Sequence, residues 1–185
     1  MFDSEIRARL TILLGGRAAE MLTCDDVSTG AVDDIKQATS LAYQSISEYG
    51  LSKTIGPVNV GALIQGGAQD GLFGRDNSKI TELVEEEVRL LIDAALAVAM
   101  DVIRQNRNIH EGLSLVLEKE ERLEGEDLQN WLSHIVIPSS LQQFVLDGTP
   151  PGLPSTDSEE VDHSAVSDAE KDVDDATSGP EDGSA

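Results

Sequence analysis

The stretch Ser28–Pro57, STGAVDDIKQATSLAYQSISEYGLSKTIGP, decides how the rest of the chain is read. Ile35, Ala38, Ala42 and Ile46 fall on one face at helical spacing. Polar residues fill the positions between them, and Gly50 follows Tyr49 as a C-terminal cap. The spacing therefore predicts an amphipathic helix opened by a polar, cap-rich segment, TCDDVSTG, and closed at Gly50.

The same period extends outward in both directions. Before this helix, Ile6, Leu10, Leu13, Leu14, Ala18 and Met21 predict a helix from Asp3 to Leu22. Gly15-Gly16 interrupts it at a cost of ~2 kcal/mol in helix propensity, and close backbone packing is the expected reason for the pair. After it, Leu51 to Asp76 is rich in glycine and predicts a long loop. Val58, Val60 and Leu63 are its one candidate for a short extended piece. A long helix is predicted from Ser78 to Asn106, with Ile80, Leu83, Val84, Val88, Leu91, Ala95, Val98, Val102 and Ile103 as its buried stripe. Two shorter helices follow, Ile109 to Glu121 and Glu126 to Ile135, the second with Trp131 as a core residue. The fold class is mainly α, a helical bundle with a glycine-rich loop and an acidic tail.

Composition narrows the function classes. Among 185 residues, 35 are Asp or Glu and 13 are Lys or Arg, a net charge of -22. Such a surface repels phosphate backbones, and aromatics at 3% offer no stacking platform, so nucleic acid is not the expected partner. One cysteine, Cys24, cannot make an internal disulfide framework or a Cys-based structural zinc site. No apolar run reaches the ~18 residues of a membrane span, so no direct membrane insertion is expected of these residues. The N-terminal MFDSEIRARL lacks a signal-peptide core. The expectation is an intracellular protein in a reducing compartment.

The acid is concentrated at the end. From Asp157 onward there are 11 acidic residues against Lys171 alone. Residues 157–185 are expected to be a disordered, solubilising tail. Three prolines in GTPPGLP, Gly148 to Pro154, mark the way into it, so the expected division is a helical domain over 1–138, a linker over 139–156 and the tail.

Four segments carry a family pattern: LLGGRAAE (Leu13–Glu20), the Ser28–Pro57 stretch, LFGRDNS (Leu72–Ser78) and LEKEERLEGEDLQ (Leu117–Gln129). In order and spacing they resemble the C-terminal part of the peptidase domain of the FtsH family, the ATP-dependent zinc metalloproteases. The resemblance runs from about Glu5 to Leu132. It implies the C-terminal half of that helical peptidase domain. It also implies membrane-anchored hexameric relatives in which an ATPase ring feeds protein substrates to a zinc peptidase ring. Zinc there is held by two histidines of H-E-x-x-H and by an aspartate further along. The resemblance places that aspartate in STGA-x-x-D, which makes Asp34 the matching position; Asp33 stands where the family varies. From the residues alone, both are equally well read as N-terminal helix charge.

The departures bear on activity. No H-E-x-x-H occurs, and no two of His110, His134 and His163 are within four residues of each other. A catalytic zinc needs about three protein ligands and an open position, and a base to take a proton from water. No phosphate loop of the G-x-x-x-x-G-K-[ST] type occurs either. Each histidine is read as a surface or capping residue and Cys24 as a half-buried loop thiol. Arg17 and Glu20, three apart, are read as a weak helix-surface pair. No catalytic residue is assigned. The expectation is part of an FtsH-type zinc metalloendopeptidase, inactive as this chain alone and binding no zinc alone. It would work with FtsH-like subunits or with its own missing N-terminal region. The alternative is a catalytically dead scaffold or non-catalytic ring subunit. Chloroplast, mitochondrion and bacterial cytoplasm all suit it.

Overall fold

The structure, a computed structural model, describes residues 1–66 and 78–148. Most of the glycine-rich stretch after Gly66, the LFGR segment, His163 and the acidic tail lie outside the described residues. The described chain folds into eight helices, with no strand among these residues: α1 (Asp3–Leu13), α2 (Gly15–Thr23), α3 (Val32–Ser47), α4 (Val60–Gly66), α5 (Ser78–Gln105), α6 (Arg107–Glu120), α7 (Gly125–Ser133) and α8 (Ser139–Asp147).

The 28 residues of α5 are the axis of the bundle; at ~1.5 Å per residue they span ~42 Å. α1, α2, α3 and α8 all pack on α5, and α1 also packs on α3 and α8. The core follows the apolar stripes: Ile6, Leu10 and Leu14 from the first helix and its junction, Ala38, Ala42 and Ile46 from α3, and Val84, Val88, Ala95 and Val98 from α5. Ala38 and Ala42 of α3 and Ala95 of α5 are fully buried, so these helices can approach closely. Ser52 anchors the turn after α3 onto α5. Its hydroxyl donates to Glu87 Oε2 at 3.0 Å and accepts from the Thr54 and Ile55 amides.

Four expectations are corrected. The linker over 139–156 begins too early, because residues 139–147 form α8 and Phe144, 1% exposed, is part of the core. Arg7 closes this helix. Its Nε and Nη2 donate to the carbonyls of Val145 and Leu146, both at 3.1 Å, and Nη1 bonds Asp3 at 2.7 Å. Gly148 ends α8 in the left-handed region, φ 71°, with the guanidinium packed where a Cβ would stand.

Val58, Val60 and Leu63 are not an extended piece. Asn59 Oδ1 accepts the Ala62 amide at 2.8 Å, capping α4, which buries Val60. The Gly15-Gly16 pair is not in close packing, since a Cβ at either position would meet nothing within 4 Å. The pair sits where α1 gives way to α2 around Leu14, while the hydrogen bonds Leu14 N to Leu10 O and Ala18 N to Leu14 O run through the junction.

Trp131 lies outside the core. It is half-buried against α6, its ring so close to Gly112 that a Cβ there would come 2.6 Å from Cη2 and 2.8 Å from Cζ3 of the indole. Neither α6 nor α7 has a fully buried residue. Asn106 ties this arm down: its side chain donates to Val136 O at 2.8 Å and accepts from Val136 N at 2.7 Å.

Candidate metal-ligand site

α2 hands the chain to α3 through the loop at residues 24–31. Asp34 is the third residue of α3, so its carboxylate lies near the positive end of the helix dipole. Val32, Asp33 and Asp34 are all exposed, and burial on α3 begins only with Ala38 after the half-buried Ile35. The two aspartates differ in their partners. Asp33 pairs with Lys36 at 3.5 Å across one turn. Asp34 makes no hydrogen bond or ion pair with any described residue.

One turn further along, the α3 face that carries Asp34 borders a groove. Positions 34, 37, 41 and 44 recur at helical spacing. Gln37, Leu41 and Gln44 line a cavity of about 610 Å³ together with Ser40, Tyr49 and, from the first helix, Arg9 and Leu13. The groove is therefore walled by α1 and α3. Leu13 alone represents the Leu13–Glu20 segment in it, and Asp34 is not among its lining residues.

Arg17 and Glu20 do more than pair on the helix surface. Glu20 Oε2 accepts from Arg17 Nη1 and from the Ser28 amide, each at 3.3 Å, while Oε1 takes a short hydrogen bond from the Ser28 hydroxyl. Arg17 Nη1 also donates to Ser28 O at 3.3 Å. These donors, the Ser28 hydroxyl foremost, hold the Glu20 carboxyl below the usual carboxylate range. A spacing of three in sequence signalled the Arg17–Glu20 contact; the eight-residue reach to Ser28 had no local signal.

The other metal-ligating residue types are scattered. Cys24 is exposed at the end of α2, not half-buried, beside the Thr23 hydroxyl at 3.8 Å. His134 is exposed, with Nδ1 2.7 Å from Asn130 O. His110 is half-buried on α6, and its buried Nδ1 has no partner. Among the described residues no three His, Cys, Asp or Glu side chains gather as a metal would require. Asp34 offers an exposed carboxylate without a side-chain partner, and the described residues do not complete a zinc site around it.

The sequence of residues 1–131 matches the family model of peptidase family M41. The chain belongs to peptidase family M41. This M41 chain is 48% identical over 149 residues to the ATP-dependent zinc metalloprotease FTSH 7, chloroplastic, of Arabidopsis thaliana, a match covering 78% of this chain and 19% of that relative. It is 46% identical to the chloroplastic FTSH 7 of Oryza sativa subsp. japonica, with 78% and 18% covered. It is 36% identical over 143 residues to the ATP-dependent zinc metalloprotease FtsH 3 of Symbiobacterium thermophilum, with 73% and 22% covered. The chain thus spans about a fifth of the length of these relatives. α1 through α7 fall almost wholly within the M41 match, and α8 lies beyond it. No described helix is long and apolar enough to cross a membrane.

Proposed function

We propose that this M41 chain serves an FtsH-type, ATP-dependent zinc metalloprotease that degrades protein substrates, and that Asp34 gives one carboxylate oxygen to its zinc. The remaining ligands and the general base would come from an H-E-x-x-H segment that these 185 residues do not contain. What zinc supplies when bound is Lewis acidity toward water and a peptide carbonyl. This chain's part is to hold the Asp34 carboxylate in the first turn of α3. The two chloroplastic relatives support a chloroplast address.

The observation that carries the assignment to Asp34 is that its carboxylate has no partner among the described residues. A carboxylate bound to none of them can take up a metal without breaking a described contact. Asp33, in the same turn, is paired with Lys36. A bulk-charge role at the helix start would not distinguish the two.

The test is proteolysis by a longer chain in which an H-E-x-x-H segment and its ATPase module precede Met1. Asp34→Asn should abolish zinc-dependent cleavage of unfolded casein, and Asp33→Asn should leave it near the parent level. Equal activity in both variants would remove Asp34 from the site. If the unsubstituted longer chain folds, binds no zinc and still assembles with active subunits, the non-catalytic ring subunit replaces the protease.

A further inference from the structure

We propose that Arg17 and Glu20 are positioning residues: with Ser28 they clamp the turn before α3 and so set the start of the helix that carries Asp34. The functional meaning rests on Asp34 as a ligand, whereas the clamp itself does not.

α3 cannot hold its own beginning. Its N-cap is Ala31, which has no side-chain acceptor, and no side chain caps the helix. Val32, Asp33 and Asp34 are all exposed; packing holds only the N-cap, Ala31, which is buried, and does not reach the turn that carries Asp34. Helix ends without a side-chain cap fray.

The hold comes from α2, which is seated on α5 with Ala18 fully buried. Glu20 takes both the amide and the hydroxyl of Ser28, and Arg17 takes its carbonyl. Every polar group of Ser28 is thereby engaged by one helix. The bonding then continues forward. Ser28 Oγ accepts the Gly30 amide at 3.0 Å, and Thr29 O accepts the Val32 amide at 3.2 Å. Ala31 O accepts Ile35 N at 3.0 Å, the first full helical bond. A Cβ on Gly30 would come 3.1 Å from Ser28 Oγ, so the turn is packed against its own clamp. Among the described residues, no other side chain from outside the loop bonds residues 25–31.

The clamp explains why two charged residues in the middle of α2 face the loop instead of solvent, each about three-quarters buried. It relays the position of α2 on the core to a carboxylate 14 residues later in the sequence. A metal ligand displaced by an ångström loses much of its value, so a floppy first turn would weaken the site without unfolding the domain.

The experiment is amide hydrogen exchange by NMR on this chain, without metal, comparing the parent with Glu20→Ala and Glu20→Gln. In Glu20→Ala the amides of Gly30, Val32 and Ile35 should exchange at least about tenfold faster, while Ala95 and Val98 in α5 keep their protection. Glu20→Gln keeps an acceptor oxygen and should restore most of the lost protection. Three results overturn the proposal: unchanged exchange in Glu20→Ala, an equal loss in α5, or no recovery in Glu20→Gln. Failure of Asp34→Asn to affect zinc in the longer chain would leave these exchange results untouched, so the two readings fail separately.

Discussion

Phe144→Ala should destabilise the whole domain, although residue 144 lies beyond the M41 match. Phe144 is 1% exposed and belongs to the same core cluster as Ile6, Leu10 and Val98. Removing a buried phenyl ring costs about 3–5 kcal/mol in transfer and cavity terms. For a chain of 185 residues, each kcal/mol lowers Tm by roughly 2–4 °C, which gives a drop of roughly 6–20 °C. The assay is thermal unfolding followed by far-ultraviolet circular dichroism. Leu146→Ala is the control: that side chain is 71% exposed and its carbonyl, which Arg7 uses, is unchanged. It should stay within about 0.5 kcal/mol of the parent. Ending the chain at Pro138 should cost at least as much as Phe144→Ala, because it removes the ring together with the rest of α8. A Tm within about 2 °C of the parent for Phe144→Ala, the size of an ordinary surface change, would mean that α8 is not part of the cooperative fold.

Asn106→Ala should lower stability by about 1–3 kcal/mol, since it strips Val136 of both of its side-chain partners; a urea midpoint measures it. Asp34→Asn in this chain should change stability by no more than about 0.5 kcal/mol, as suits an exposed residue with no partner, and a larger loss would make Asp34 a structural cap. Acid should loosen the α2–α3 turn before it unfolds the core. The Glu20 carboxyl is held below its ordinary range in the folded chain, chiefly by the Ser28 hydroxyl. Its contribution is therefore present above that range and lost as pH falls through the folded value. Exchange at Gly30 should accelerate in acid, beyond the intrinsic pH effect, in the parent but not in Glu20→Gln.

The large helices were legible because their stripes are long. α3 and α5 each repeat an apolar face over four or more turns, and the structure buries Ala38, Ala42, Ile46, Val84, Val88, Ala95 and Val98 as the spacing predicts. Leu83, 38% exposed, and Ile103, partly exposed, lie at opposite edges of the predicted stripe and are not part of the buried face. The short helices were hidden by their length. α8 shows Leu141, Phe144 and Val145 at helical spacing, with Gly148 as its stop, but nine residues beside a run of prolines read as linker. In α4 the Asn59 cap was the signal, and the surrounding glycines masked it. Trp131, expected in the core, instead packs its ring against Gly112 of α6, a contact that the spacing within its own helix does not signal.

The candidate site was less legible. Only the family resemblance chose Asp34 over Asp33 as a ligand position. The spacing of three between Asp33 and Lys36 signals their pairing, as it does for Arg17 and Glu20, but helix-surface pairing says nothing about metal ligation. The Glu20–Ser28 bonds likewise depend on a loop that turns back on α2, which no periodicity encodes.

In the proposed protease, Asp34 belongs to a zinc site completed by residues outside these 185. The most direct measurement is zinc affinity, by competition with a chromogenic chelator, in the longer chain carrying an H-E-x-x-H segment before Met1. Loss of a group that hydrogen-bonds a metal ligand typically weakens metal binding about 10–100-fold, and loss of a direct ligand should exceed that. Asp34→Asn should therefore weaken zinc by more than about 100-fold, while Asp33→Asn stays within a few-fold of the parent. Zinc bound equally well by the parent and by Asp34→Asn would contradict the account.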